Sequence, residues 1–193
     1  MKKKLIFIVG KTSTGKDTIC KYIQDKYGVS FVCSYTTRPK REYEVDGVQH
    51  RFVTPEEMKR IVDNDDIIAY TKFPKTGFEY CATANSIDGD VALYIINPDG
   101  IRWFKENGCF DSVEFIEIYL HANEETIIRR AISRKDNIDD IKARLDSERE
   151  DMNRYFNEGK YDYVIDTSMG LGNVFRMADI IMKELGVVKN VVS

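Results

Sequence analysis

The sequence predicts an α/β fold built on a mostly parallel sheet, and three observations carry that expectation. Short apolar runs bounded by turn residues alternate with longer stretches of helical period. A glycine-bearing turn joins the first apolar run directly to the first helical stretch. Finally, 193 residues that are 42% apolar and 32% charged supply one domain-sized core and too much apolar material for a disordered chain.

The strand expectations are residues 5–9, 29–34, 91–96, 113–120 and 163–165, each a compact apolar run. Helices are expected over 16–27, 98–107, 124–134, 138–156 and 173–185, where apolar positions recur three or four apart. Asn123 is placed to cap the third of these. Between residues 35 and 90 the pattern changes to short alternating pieces with one helix after Thr54-Pro55-Glu56-Glu57, a start signal with proline at the first helical position. That stretch reads as an inserted lobe. The chain carries no internal repeat, low-complexity tract or flexible linker, so the expectation is a single domain over 1–193, with a core of 1–34 and 91–193 bearing a lobe of about 35–90.

Lys and Arg number 29 against 32 Asp and Glu, a formal charge of -3 that excludes a global field for nucleic acid or an anionic membrane. Any anion must therefore meet a local cluster. Cys20, Cys33, Cys81 and Cys109 are widely and unequally spaced, with no CxxC pair for zinc and no dense disulfide framework, as expected of reduced thiols in the cytoplasm. The basic start Met1-Lys2-Lys3-Lys4 precedes only about five apolar residues, too few for a signal segment, and no stretch approaches the roughly 20 needed to cross a bilayer. A soluble cytoplasmic protein is expected, without nucleic acid or membrane as partner.

The most specific local feature is Gly10-Lys11-Thr12-Ser13-Thr14-Gly15-Lys16, between an apolar strand and a helix. Glycines let the backbone curl until several N–H groups face one anion, and the helix start adds partial positive charge. Lys16 would reach the β- and γ-phosphates of a nucleotide, and Lys11 could add a second cation. Against this stands a plain glycine-rich turn with surface lysines. Where the phosphate-loop motif has a hydroxyl for Mg²⁺, this chain has Asp17, followed by Thr18. Asp17 suits a direct metal ligand, or a helix N-terminal charge with no catalytic duty.

A second cluster gathers hydroxyls and guanidiniums: Ser34-Tyr35-Thr36-Thr37-Arg38-Pro39-Lys40-Arg41, then Glu44-Val45-Asp46-Gly47-Val48-Gln49-His50-Arg51-Phe52-Val53. With the phosphate loop ahead of it, this segment resembles the guanylate kinase family, over residues 5 to about 185. The resemblance implies a P-loop NTPase-type parallel sheet flanked by helices, with an inserted nucleoside-monophosphate lobe and a lid at about 134–145. It implies ATP with Mg²⁺ and a nucleoside monophosphate, by default GMP or dGMP, as ligands. In this family Ser34, Arg38 and Arg41 would hold the acceptor's phosphate together with Tyr80, and His50 stands where a further tyrosine would. Arg134 and Arg144 match the lid arginines that close on the transferring phosphoryl group, and Lys16 completes the catalytic set. The ATP site would comprise Gly10, Lys11, Thr12, Ser13, Thr14, Gly15, Lys16, Asp17, Thr18 and Thr167. For Arg129, Arg130, Arg149 and Arg154 a solvated face is expected.

The departures from the family gather at base recognition. The glutamate and the serine that read guanine are replaced by Ala69 and Ala82, and neither methyl group can hydrogen-bond. An Asp-x-Asp pair becomes Ile95-Ile96-Asn97, and an asparagine used on the adenine of ATP becomes Thr167. Lost carboxylates beside a gained Asp17 suggest that the charge supporting the metal has moved. A kinase for another or modified monophosphate stays open, as does a non-catalytic module that binds phosphorylated ligands.

Overall fold

The computed structural model describes residues 2–42, 44–73, 76–107 and 113–188. Its elements are β1 (Lys3–Val9), α1 (Lys16–Tyr27), β2 (Ser30–Phe31), β3 (Tyr35–Thr36), β4 (Arg51–Phe52), α2 (Pro55–Asn64), β5 (Ile67–Lys72), β6 (Glu79–Thr83) and β7 (Val91–Ile95). There follow α3 (Pro98–Asn107), β8 (Val113–His121), α4 (Glu124–Ser133), α5 (Ile138–Glu158), β9 (Tyr163–Asp166) and α6 (Leu171–Glu184). The α/β class is as expected: β1, β2, β7, β8 and β9 form a parallel central sheet flanked by helices. Leu5 to Val9 are completely buried, which is why β1 reads as an unbroken apolar run rather than an alternating one. The chain divides into two compact units, Met1–Leu5 with Ser30–Glu114, and Ile6–Val29 with Phe115–Ser193.

In the first unit β2 pairs with β7, and a second sheet runs in the order β4-β3-β6-β5. The run expected as a strand over 29–34 keeps only Ser30 and Phe31 in the ladder, with Val32 still donating to the Leu93 carbonyl at 2.8 Å. Beyond it the chain leaves for the second sheet, where Tyr35 and Thr36 lie between Arg51–Phe52 and Tyr80–Cys81. Helix α2 starts as the sequence predicts: Thr54 and Glu57 form a reciprocal capping box ahead of Pro55. Helix α3 packs its Ile101 and Phe104 inward and lies against β5.

In the second unit β8 and β9 run parallel, with Ile118 opposite Tyr163. Helix α1 stops at Gly28, whose left-handed backbone returns its N–H to Gln24. It packs on α6 through Tyr22 stacked on Phe175 at 4.0 Å, beside Lys26, Tyr22 and Tyr27 converging on Asp179. Asn123 caps α4 and Asn137 caps α5, and the two helices close over Ala122, Ile127, Ala131, Ile141 and Leu145. Cys20, Cys33 and Cys81 are free thiols, whereas Cys109 lies outside the described residues.

Inside this unit the Glu117 carboxylate is buried and accepts a hydrogen bond from Tyr155 of α5, itself buried. Removing that donor leaves the carboxylate less well paired in an apolar setting. Tyr155→Phe should therefore cost about 1–3 kcal/mol of stability, read as a lower denaturant midpoint with unchanged slope. An unshifted midpoint would show that Glu117 does not depend on this phenol.

Candidate functional site

The turn between β1 and α1 has the curl that an anion cradle requires. Gly10 is buried where an added Cβ would meet the Leu120 carbonyl oxygen at 2.6 Å and Thr14 Oγ1 at 2.9 Å, so only glycine fits there. Ser13 and Gly15 take left-handed backbone conformations, with φ of 57° and 96°, which curl successive amides to one side. Thr14 Oγ1 donates to the Lys11 carbonyl at 2.8 Å and braces the curl. Lys16 folds back across it, donating to the carbonyls of Gly10 at 2.7 Å and Lys11 at 2.9 Å. Burial pushes its ammonium below the ordinary lysine range, opposed by the carboxylates of Glu148 and Asp17. Asp17 and Thr18 stand exposed at the start of α1.

Two arginines of the same unit reach this loop. Arg130 of α4 donates to the carbonyls of Ser13 at 3.4 Å and Thr14 at 3.2 Å, and to the Thr167 hydroxyl at 3.1 Å and carbonyl at 2.5 Å. The expected solvated face for Arg130 is thus corrected: it is half-buried and bound to the loop, whereas Arg129, Arg149 and Arg154 are exposed. A spacing of four on one helix, which sets Arg130 and Arg134 on one side, is the signal that finds it. Arg134 donates to Ser13 Oγ at 2.8 Å while paired with Asp136. Arg144 stays exposed on α5, without a side-chain ion pair among the described residues. Thr167 is buried and its hydroxyl is spent within the protein, donating to the His121 carbonyl and accepting from Arg130.

Glu148 of α5 places a carboxylate oxygen 2.7 Å from the backbone nitrogen of Thr12, and Lys11 donates to Asn153 Oδ1 at 3.1 Å. The cradle already accepts an anion of the protein's own at one of its amides. No local pattern marks Glu148, because its partner lies far away in sequence. Crowding by Arg129 and Arg134 adds to desolvation in pushing the Arg130 guanidinium below its ordinary range. Cations held this close to one another suit an anion with several charges.

The first unit carries a second polar cluster and a cavity of about 220 Å³ lined by Ser34, His50, Ala69, Tyr70, Thr71, Phe73, Tyr80, Tyr94, Ile95, Ile96, Asn97 and Gly100. Ser34 Oγ lies 2.9 Å from His50 Nδ1, and the His50 ring stands edge-on to Tyr80. Arg38 donates through Nε to the Tyr80 hydroxyl at 3.1 Å and grips Glu44 with both terminal nitrogens, at 2.7 and 2.8 Å. Arg41 contributes its backbone N–H to Glu44 at 2.8 Å and its guanidinium at 3.9 Å. The structure thus gathers Ser34, Arg38, Arg41, His50 and Tyr80, and adds Glu44 as the carboxylate that orders both arginines. Ala69 and Ala82 face each other across β5 and β6, both buried, but only Ala69 lines the cavity. Asn97 lines it too, in contact with Thr71.

Arg38 beside Glu44, then the Arg41 amide, hold the Glu44 carboxyl at about 2, well below the usual carboxylate value. A folded-state value below the unfolded one means the pairing stabilises the fold fully above about pH 4.5 and is lost as pH falls toward about 2. The stability deficit of Glu44→Gln relative to the parent should therefore be largest above about pH 4.5 and close by about pH 2. Thermal unfolding followed by circular dichroism across that window measures it; a deficit independent of pH would place the ionic pairing elsewhere.

No helix among the described residues is long and apolar enough to cross a membrane. A curated guanylate kinase of Fusobacterium nucleatum is 29% identical over 167 residues, covering 83% of this chain and 86% of that protein. Guanylate kinase of Brucella melitensis is 26% identical over 168 residues, covering 83% and 74%. The crystal structure of guanylate kinase from Anaplasma phagocytophilum superposes with a TM-score of 0.60 at 20% identity, covering 98% of this chain and 88% of that one, a likeness of fold. The guanylate kinase family model matches residues 2–182, which include both the cradle and the cavity, and the chain belongs to that family.

Proposed function

We propose that this chain transfers the γ-phosphoryl group of ATP to a nucleoside monophosphate, yielding ADP and the nucleoside diphosphate. The observation that carries the reading is the β1–α1 cradle, with Lys16, Arg130 and Arg134 gathered on its seven residues. Phosphoryl transfer asks little covalent chemistry of a protein and much placement of positive charge. An oxygen of the acceptor's phosphate attacks the γ-phosphorus, the bond from that phosphorus to the β–γ bridging oxygen breaks, and ADP leaves with the electron pair. No protein base is needed, because the attacking oxygen is already ionised near neutral pH.

In this reading the loop amides and Lys16 hold the β- and γ-phosphates. Arg134 and Arg144 of the lid at about 134–145 meet the transferring group. Ser34, Arg38, Arg41, His50 and Tyr80, in the lobe of about 35–90, hold the acceptor's phosphate. Arg130 acts by bracing the loop through the carbonyls of Ser13 and Thr14. Among the described residues no three His, Cys, Asp or Glu side chains come together to hold a metal. Asp17 offers an exposed carboxylate at the start of α1, which fits Mg²⁺ arriving on ATP with phosphate and water oxygens as its other ligands. Bound there, Mg²⁺ would neutralise phosphate charge.

The relatives named guanylate kinase make GMP and dGMP the default acceptors. A second reading, a kinase for another monophosphate, is favoured by the Ala69 methyl in the cavity wall. A coupled assay of ADP release over the ribo- and deoxy-monophosphates tests the reaction and identifies the acceptor. Turnover with at least one is expected, and Lys16→Ala should reduce kcat by about 100-fold or more. Monophosphate binding without turnover of any would overturn the enzyme reading and leave a phospho-ligand binding module.

A further inference from the structure

Asn97 ends the segment after β7, and its side chain is held from two directions. Its Oδ1 accepts the Gly100 N–H at 2.8 Å, as the cap of α3, and the Thr71 hydroxyl at 3.1 Å. A backbone N–H can only donate, so the oxygen must face Gly100 and the nitrogen must face away. The Asn97 nitrogen donates to no described protein group, and among the described residues no buried side-chain polar atom lacks a partner. It is therefore solvent-accessible, on a residue that lines the cavity.

Among the described residues the rest of that cavity wall contains no Asp or Glu. The Tyr70 hydroxyl is already given to Glu79 at 2.6 Å, and the Thr71 proton to Asn97. Ala69, Ile95 and Ile96 are apolar. A base edge rich in N–H groups would meet a donor at Asn97 and no carboxylate to accept from it, leaving polar groups of both partners unpaired. A ring carbonyl would instead complete the Asn97 amide.

We infer that Asn97 reads the acceptor's base as a hydrogen-bond donor, fixed in that role by the Gly100 N–H with Thr71 on the same oxygen, so that the cavity favours an oxo base without an exocyclic amino group over guanine. The matching acceptors are monophosphates of the hypoxanthine, xanthine and uracil type. Thr71 is a positioning residue: it lines the same cavity, and its proton occupies the Asn97 oxygen that would otherwise accept. This rests on the reading of the chain as a nucleoside monophosphate kinase and names the substrate class of the same site.

The experiment is equilibrium binding of IMP, XMP, UMP, GMP and AMP to the full chain without ATP, in the parent, Asn97→Asp and Thr71→Val. Asn97→Asp keeps the acceptor that caps α3, so the helix start is preserved. In the parent at least one oxo-base monophosphate should bind about tenfold or more tighter than GMP. Asn97→Asp should move that ratio about tenfold or more toward GMP, and Thr71→Val should narrow it, whereas a merely structural loss would weaken all bases alike. GMP binding tightest to the parent, or a base ranking unmoved by Asn97→Asp, overturns the inference while leaving the kinase reading intact. Failure of every monophosphate to bind removes the kinase reading itself, and this inference with it.

Discussion

The carbonyl oxygen of Leu120 stands where any side chain on Gly10 would have to go. That close approach lets the chain leave the fully buried end of β1 and turn at once, so that the next amides curl into a cradle and α1 starts at Lys16. A larger residue at position 10 would have to push a backbone carbonyl of β8 aside, and a close-packed interior yields little at such a place. Everything said of the cradle descends from this contact: the fold-back of Lys16, the brace from Thr14, and the reach of Arg130 to the carbonyls of Ser13 and Thr14.

The two clusters handle positive charge in opposite ways. In the cradle, Lys16 and Arg130 spend their protons on neutral carbonyls, and desolvation holds both below their ordinary values. Carbonyl partners cancel none of this charge directly; Glu148 at the Thr12 amide, with Asp17 nearby, offsets only part of it. Around Arg38 the charge is instead cancelled by Glu44, gripped with both terminal nitrogens, and Arg38 is raised above its ordinary range chiefly by that bond. Such an arginine is fixed in direction before a ligand arrives, at the cost of part of its attraction for an anion. Rigidity suits a site that must aim one phosphate, and uncancelled charge suits one that must gather several.

The sequence made the fold class and the segment from β1 through α1 readable because those signals are local: an apolar run, a glycine turn, a helical period. The caps at Thr54 and Asn123 follow the same logic, since each bonds amides within three residues. The strand expected over 29–34 came out short because the chain divides its hydrogen bonds between two sheets there, a tertiary choice that apolarity does not record. Ser34, Arg38 and Arg41 were legible through the family resemblance that their motif carries. Glu44 stood in the same motif, yet its grip on Arg38 depends on how the turn folds. Thr71 shares a strand face with Ala69 two residues earlier, so alternation alone would have put it on the cavity side of β5.

Glu148 sets the limit of such reading and also explains something about Lys16. Burial alone would drive the lysine toward neutrality, and a neutral lysine is a poor partner for phosphate. The carboxylate of Glu148 is the largest influence opposing that shift, with Asp17 next. The same carboxylate accepts the Thr12 N–H at 2.7 Å, so one internal anion both satisfies an amide of the cradle and opposes the downward shift of the lysine. A phosphate entering the loop can take over both duties, because it too accepts amide protons and favours the ammonium form. What the ligand gains is then a difference between two anions rather than the full strength of either. The carboxylate thus holds the loop ready while lowering the affinity that an empty cradle would have had.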